Sequence, residues 1–270
     1  MIKLLIGSPI NQKPEILKEF LFSLRKLDLS DIEVSYYFID DNLNKESSDL
    51  LNNFKEEINN VILINSDSKS LYVCDEITHR WTNKLIEKVT NFKNEIIHKA
   101  LEENFDYLFL IDSDIVLNPK TIKRLLSLDK EIVSNIFWTK WNPSSEEYPQ
   151  VWLKDTYTLY NIEPGEYITN EEANLRMSEF LSKLRIPGTY EVGGLGACTL
   201  ISRSALEKGV NFNPIYNLSF WGEDRHFCVR AAVLGIQLYV DTMYPAYHLY
   251  RKEDLLNLNK YKEENFNINQ

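Results

Sequence analysis

Apolar residues in the first half of the chain switch repeatedly between two periods. Ile2 to Ile6 is a short continuous apolar run closed by Gly7-Ser8-Pro9. Pro14 then opens a stretch in which Ile16, Leu17, Phe20, Leu21 and Leu24 share one helical face. Val34 to Ile39 reads as a second strand ending at Asp40-Asp41-Asn42, followed by helix to about Ile58 and a third strand from Val61 to Ile64. A long helix is predicted over 82–104, and Tyr107 to Ile111 is a fourth strand that runs into Asp112-Ser113-Asp114. Strands alternating with helices of this length predict an α/β domain with a mostly parallel sheet and right-handed crossovers. Ligands of such sheets sit at the carboxyl ends of the strands, where each of these acidic clusters falls.

The second half is less regular. Ile132 to Phe137 reads as a fifth strand, and Trp138 to Pro149, rich in Trp, Pro and Ser, as a loop. Residues 171–185 are predicted helical, Gly193-Gly194-Leu195-Gly196 leads into a strand from Cys198 to Ile201, and Ser204 to Lys208 starts another helix. A helix from Asp224 to Leu234 precedes the strand Gln237 to Val240. From Arg251 the chain is Asn-, Lys- and Glu-rich, which predicts a frayed helix or disorder.

Length and composition fit one sizeable core: 270 residues, 44% hydrophobic and 12% aromatic. The net charge of −10 argues against broad nucleic-acid binding, which needs a basic surface. A single nucleotide is still accessible to an acidic protein through a divalent cation that screens carboxylate from phosphate. Cys74, Cys198 and Cys228 are scattered without C-x-x-C spacing, as expected of reduced thiols in a cytoplasmic protein. No apolar run approaches the ~20 residues of a spanning helix. Attachment to the periphery of a membrane stays open.

Two carboxylates in the apolar run Phe109 to Val116 are costly to bury without compensation. On an extended backbone Asp112 and Asp114 would point together into a cleft with Ser113 turned aside. A divalent cation then relieves their repulsion, and oxygen ligands favour Mg²⁺ or Mn²⁺. The alternative is a turn in which Asp112 or Asp114 caps the helix that begins near Pro119. An EF-hand is excluded, because the twelfth position from Asp112 is Lys123 rather than Glu.

The motifs taken in order resemble GT-A glycosyltransferases of the family 2 type. Ile39-Asp40-Asp41-Asn42 resembles the acidic turn that contacts base and ribose. Asn91-Phe92-Lys93-Asn94-Glu95-Ile96-Ile97 with Ala100 resembles the helix before the metal motif, with Lys93 where the family often has Arg. Asp112-Ser113-Asp114 matches the D-x-D, Gly193-Gly194-Leu195-Gly196 the acceptor-side glycines, and Trp221-Gly222-Glu223-Asp224 the start of the catalytic helix. Tyr247-His248-Leu249-Tyr250 fits the late metal-binding histidine. The match spans about residues 2–250.

The resemblance implies one GT-A domain over 1–250, with a nucleotide-sugar half (1–117), a smaller acceptor-side and catalytic half (118–250), and a polar tail (251–270). It implies Mn²⁺ or Mg²⁺ held by Asp114 and His248, with Asp112 on the metal or the ribose. It implies donor contacts from Ser8, Pro9, Asp40, Asp41, Lys93, Asn94, Asp112, Ser113, Gly194 and Trp221. Asp224, beside Glu223, becomes the general base for an inverting, non-processive transfer from a UDP- or GDP-sugar to a saccharide or other hydroxyl acceptor. Glu223 and an apolar flank would raise the Asp224 pKa and Arg225 would lower it.

Each motif has a plainer alternative. Glu223 and Asp224 suit any helix N-terminus, His248 suits a buried structural role, and the glycines suit a tight turn. Trp138, Trp141 and Trp152 suit core packing as well as sugar stacking, and Trp221, beside the acidic pair, is the favoured platform. His226 lies off the face of Asp224, and His79 and His98 are expected at the surface. A sugar-nucleotide nucleotidyltransferase would carry a Gly- and Arg/Lys-rich loop after strand one, and a nicotinamide dehydrogenase G-x-G-x-x-G, whereas Gly7-Ser8-Pro9-Ile10-Asn11-Gln12 has neither. A non-enzymatic carbohydrate-binding protein is the rival from another class; it has no use for Asp224 beside a nucleotide site.

Overall fold

The computed structural model describes residues 1–67, 69, 81–154, 156–219 and 222–266; Cys74, His79 and Trp221 lie outside the described residues. The nucleotide-half elements are β1 (Ile2–Ile10), α1 (Pro14–Arg25), β2 (Ile32–Asp40), α2 (Lys45–Glu57), β3 (Val61–Asn65), α3 (Asn83–Glu102) and β4 (Tyr107–Leu110). After them come β5 (Ile115–Val116), α4 (Thr121–Ser127), β6 (Ile132–Thr139), β7 (Tyr148–Pro149), β8 (Val151–Trp152) and α5 (Asn170–Leu184). The remainder is β9 (Thr189–Val192), β10 (Gly194–Leu195), β11 (Thr199–Ser202), α6 (Arg203–Glu207), α7 (Glu223–Val233), β12 (Leu238–His248), a 3₁₀ turn (Lys252–Asp254) and α8 (Leu255–Asn265).

The main sheet runs β3-β2-β1-β4-β11-β6-β12-β5. β1 is parallel to both β2 and β4, β2 to β3, and β6 to β12, while β11 lies antiparallel between β4 and β6. This is the mixed, mostly parallel α/β sheet that the alternation of periods predicts. Leu4, Leu5 and Ile6 of β1 are all fully buried, because helices cover both faces. One core gathers Phe20, Leu24, Phe38 and Phe54 beneath α1 and α2. The other gathers Ile96, Ile97, Ala100 and Phe227 beneath α3 and α7. Gly7 marks how tightly α3 lies on β1: a Cβ there would stand 2.3 Å from Ile96 Cγ2.

Two segments differ from expectation. The stretch expected as a loop from Trp138 is a hairpin, in which Trp138 and Thr139 of β6 pair with Tyr148 and Pro149 of β7. The polar tail is a docked helix rather than a frayed end. Leu258 of α8 is buried, the Tyr261 hydroxyl donates to the Pro245 carbonyl at 3.1 Å, and Phe266 packs on Phe22 with ring centroids 5.3 Å apart. These few anchors are spaced too sparsely to register as an apolar face in so polar a sequence. Among the described residues no helix is long and apolar enough to cross a membrane.

β12 bends at a bulge between Asp241 and Ala246. The Asp241 carboxylate is fully buried there, accepting from Arg124 Nη2 at 2.9 Å, from the Thr189 hydroxyl at 2.9 Å and from the Met243 N–H at 3.1 Å. Removing one partner of a buried ion pair leaves an uncompensated charge. Arg124→Met is therefore expected to lower the unfolding free energy by about 3 kcal/mol, read from urea denaturation.

Candidate functional site

The carboxyl ends of β1, β2 and β4 open on a cleft of about 570 Å³. β4 stops at Leu110, and the chain turns back on itself through Asp112-Ser113-Asp114, with the Ile115 N–H bonded to the Asp112 carbonyl at 3.3 Å. The extended geometry expected here is thus replaced by a turn. Alternation of faces does not apply, and Ser113 lines the cleft together with both aspartates instead of turning aside. The helix-cap alternative is not taken either. α4 starts after Lys120 with no side-chain cap, and Asn118 Oδ1 accepts from the Lys120 N–H at 2.8 Å in the turn that leads into it.

His248 reaches this turn through strand pairing. β5, which leaves the turn, pairs antiparallel with the end of β12, setting His248 opposite Ile115. The Leu249 N–H also donates to the Asp114 carbonyl at 2.8 Å. Across this joint His248 Nε2 stands 3.5 Å from Asp114 Oδ1. The other ring nitrogen, Nδ1, lies 2.8 Å from the Thr139 hydroxyl, and the Phe137 ring packs 4.8 Å from the imidazole. Thr139 and Phe137 orient the ring so that Nε2 faces the carboxylate.

The second acidic pair arrives on α7. Glu223 and Asp224 occupy its first turn after Gly222, a position that helix polarity favours. Lys93, in the middle of α3, meets them: its Nζ donates to Glu223 Oε1 at 2.6 Å and to Asp224 Oδ1 at 3.1 Å. Burial pushes the Asp224 carboxyl up to about 7, against the pull of the Lys93 ammonium and with a further push from Glu223 and Asp112. Burial likewise pushes Asp112 up to about 6, with Lys93 opposing and Asp114 adding to the rise. The cation that opposes the rise at Asp224 is therefore Lys93. Arg225 instead donates to the Ser219 carbonyl at 2.8 Å.

Of the other residues expected at the site, Pro9 and Asp41 line the cleft, as do Glu223, Asp224 and His248. Asp41 is held by Lys88, whose Nζ lies 2.6 and 2.7 Å from its two carboxylate oxygens. Ser8, Asp40, Lys93, Asn94 and Gly194 do not line that cleft. Ser8 is fully buried, and Asp40 accepts from the Asn42 backbone and side-chain amides at 2.9 and 2.8 Å. Asn94 is turned to the Phe212–Asn213 segment, accepting from the Phe212 N–H at 2.8 Å and donating to Asn213 Oδ1 at 2.8 Å.

Gly194 lets β10 lie flat on β8: a Cβ there would stand 1.9 Å from the Trp152 ring. Of Gly193, Gly194 and Gly196, it is Gly196 that lines the cleft, beside Asp224. Trp152 is buried in the wall, Trp138 is covered by the Arg185 guanidinium at 3.4 Å, and Trp141 stands at the mouth, 48% exposed, edge-on to Tyr250. His226 is buried and accepts from the Ile215 N–H at 2.9 Å, and His98 is exposed.

Three residues with roles here carry no motif in the sequence. Thr139 orients His248, Lys88 holds Asp41, and Tyr157 closes the wall beside Gly222. Only Lys88 leaves a trace: it precedes Phe92 by one helical turn, and both line the cleft.

Among the described residues no group of three or more His, Cys, Asp or Glu is gathered closely enough to hold a metal ion by itself. The donor set on offer is one carboxylate and one oriented imidazole, from Asp114 and His248. One carboxylate with one imidazole suits a divalent ion that accepts both oxygen and nitrogen, such as Mn²⁺, with water and phosphate oxygens completing its shell.

The model of glycosyltransferase family 25, N-terminal domain, matches residues 2–180. No curated protein matches the chain in sequence. Among solved structures, the mannosyltransferase PcManGT from Pyrobaculum calidifontis, in complex with GDP-Man and Mn²⁺, superposes with a TM-score of 0.56 at 11% identity, over 92% of this chain and 57% of that one. S. aureus TarS 1–349 in complex with UDP-GlcNAc gives 0.55 at 13% identity, over 94% of this chain and 61% of that one. GalNAc-T7 with UDP, GalNAc and Mn²⁺ gives 0.61 at 14% identity, over 94% of this chain and 44% of that one. The chain thus spans between 44% and 61% of the length of these three structures and shares their fold. With most of its length matched by one family model and its sheet by these structures, the chain belongs to the family of the glycosyltransferase family 25 N-terminal domain.

Proposed function

We propose that the chain transfers a glycosyl group from a UDP- or GDP-sugar to an acceptor hydroxyl, with Mn²⁺ or Mg²⁺ and with inversion at the anomeric carbon. One observation carries this reading: the Asp114–His248 pair and the Glu223–Asp224 pair, far apart in sequence, line the same cleft at the carboxyl end of the sheet. The nucleotide sugars and Mn²⁺ bound in PcManGT, TarS and GalNAc-T7 support the donor class. Division at about residue 117 into a donor half and an acceptor half agrees with it, since β1, β2 and β4 supply one rim and α7 the other.

Asp114 and His248 would hold the cation, which when bound supplies Lewis-acid neutralisation of the diphosphate leaving group. Pro9, Asp41 and Ser113 line the side on which the nucleotide would lie. Asp112 and Ser113 keep polar groups at the turn, where ribose and phosphate would pass. Asp224 acts as general base: its carboxylate takes the proton of the acceptor hydroxyl as the oxygen attacks the anomeric carbon from the side away from the diphosphate. A carboxyl pushed up to about 7 is matched to that task at neutral pH, where an ordinary aspartate is too weak a base. The mostly apolar wall of Val151, Trp152, Tyr157 and Leu159 limits water access to the reacting centre. A lectin would need the aromatic wall but not a base held near neutrality.

Asp114→Ala should weaken Mn²⁺-dependent UDP or GDP binding by at least about tenfold, measured by calorimetry with and without Mn²⁺. A gain in affinity on adding Mn²⁺ that is as large in Asp114→Ala as in the parent would refute the ligand assignment. Asp224→Asn should leave that binding intact and reduce turnover by about 10²- to 10⁴-fold. In the parent enzyme Asp224 must be ionised to accept a proton, so kcat/KM should rise with pH to a plateau, with a midpoint of about 7.

A further inference from the structure

We infer that Lys93 is a positioning residue for the acidic pair of α7, holding Glu223 and Asp224 in a buried bridge to α3, and is not a contact to the nucleotide. The inference rests on the reading of Asp224 as the base. The Lys93 side chain is 4% exposed and stands behind the cleft wall, 2.6 Å from Glu223 and 3.1 Å from Asp224, with the Phe212 ring 5.1 Å from the ammonium. An ammonium has three protons to donate, and two are committed to these carboxylates. A phosphate drawing Lys93 into the cleft would leave both carboxylates facing each other with their buried counter-charge removed, a costly arrangement.

The bridge also treats its two ends differently. Glu223, 9% exposed at the side chain, takes the shorter bond, whereas Asp224 remains 29% exposed. Its Oδ1 is tied to Lys93, while Oδ2 lies over Gly196, 3.4 Å from where a Cβ on that residue would stand. Lys93 therefore fixes which carboxylate oxygen faces the incoming hydroxyl. It also supplies a positive charge that offsets the burial of the base.

The groups that bear on Asp224 are Lys93 from α3, Glu223 and Cys228 from α7, Asp112 from the turn after β4, and Tyr157 from the wall. Removing the cation and removing the neighbouring anion should act in opposite directions. Lys93→Met should move the acid limb of kcat/KM against pH upward by about one to three pH units. Lys93→Arg should restore most of the shift, and Glu223→Gln should move the limb downward.

The test measures these pH profiles, together with calorimetric binding of UDP and GDP in the presence of Mn²⁺. Nucleotide affinity should stay within about threefold of the parent in both Lys93 variants. A loss of affinity of about tenfold or more in Lys93→Met with the limb in place would return Lys93 to the nucleotide and overturn the inference. If Lys93→Met does not fold, Lys93→Gln carries the same test, and a loss of nucleotide affinity of about tenfold with the limb in place overturns the inference there too. Normal turnover by Asp224→Asn, in contrast, refutes the base assignment itself, whichever way the Lys93 variants behave.

Discussion

The cleft at the carboxyl end of the sheet brings Asp112, Asp114, Glu223 and Asp224 together, with Asp41 at its rim. Like charges this close, in a wall that is largely apolar, raise each other's energy and lose hydration together. The surrounding structure is arranged around that repulsion. Lys93 is spent on Glu223 and Asp224, Lys88 on Asp41, and an imidazole is turned toward Asp114. The remaining excess of negative charge suits a site completed by a cation and a substrate rather than one complete in the protein alone.

Secondary structure serves this arrangement by joining parts of the chain far apart in sequence. The β5–β12 pairing locks the acidic turn to the histidine strand, and the bulge at Asp241 sets how that strand reaches the cleft. Gly7 lets α3 settle on β1, which sets the height at which Lys93 meets the start of α7. Packing in the two cores is thus coupled to the geometry of a handful of polar contacts. A shift of α3 on β1 would be felt at Asp224.

Much of this was legible in the chain itself. The alternation of apolar periods located β1 to β4 and their helices, because strands buried on both faces read as continuous apolar runs. The acidic clusters were legible as strand-end features. What escaped was local geometry and long-range partnership. Asp112 to Asp114 was expected to be extended and is a turn, a difference of a few dihedral angles that composition does not encode. Lys93 meets its partners across some 130 positions, and its donors look the same in sequence whether they face a phosphate or a carboxylate. Asn94 lies next to it on the same helix and faces Phe212, away from the cleft. The docking of α8 rests on a few anchors that a polar sequence conceals.

That last helix has a mechanical side. Tyr247, the neighbour of His248 on β12, stacks near Tyr261 of α8 with ring centroids 5.4 Å apart, and its hydroxyl donates to the Asp254 carbonyl at 2.7 Å. The strand end that presents the imidazole is consequently clamped from outside by the chain that follows it. Whatever loosens the outer helix gives the imidazole freedom to drift from the aspartate, so a segment remote from the cleft helps keep its two halves in register.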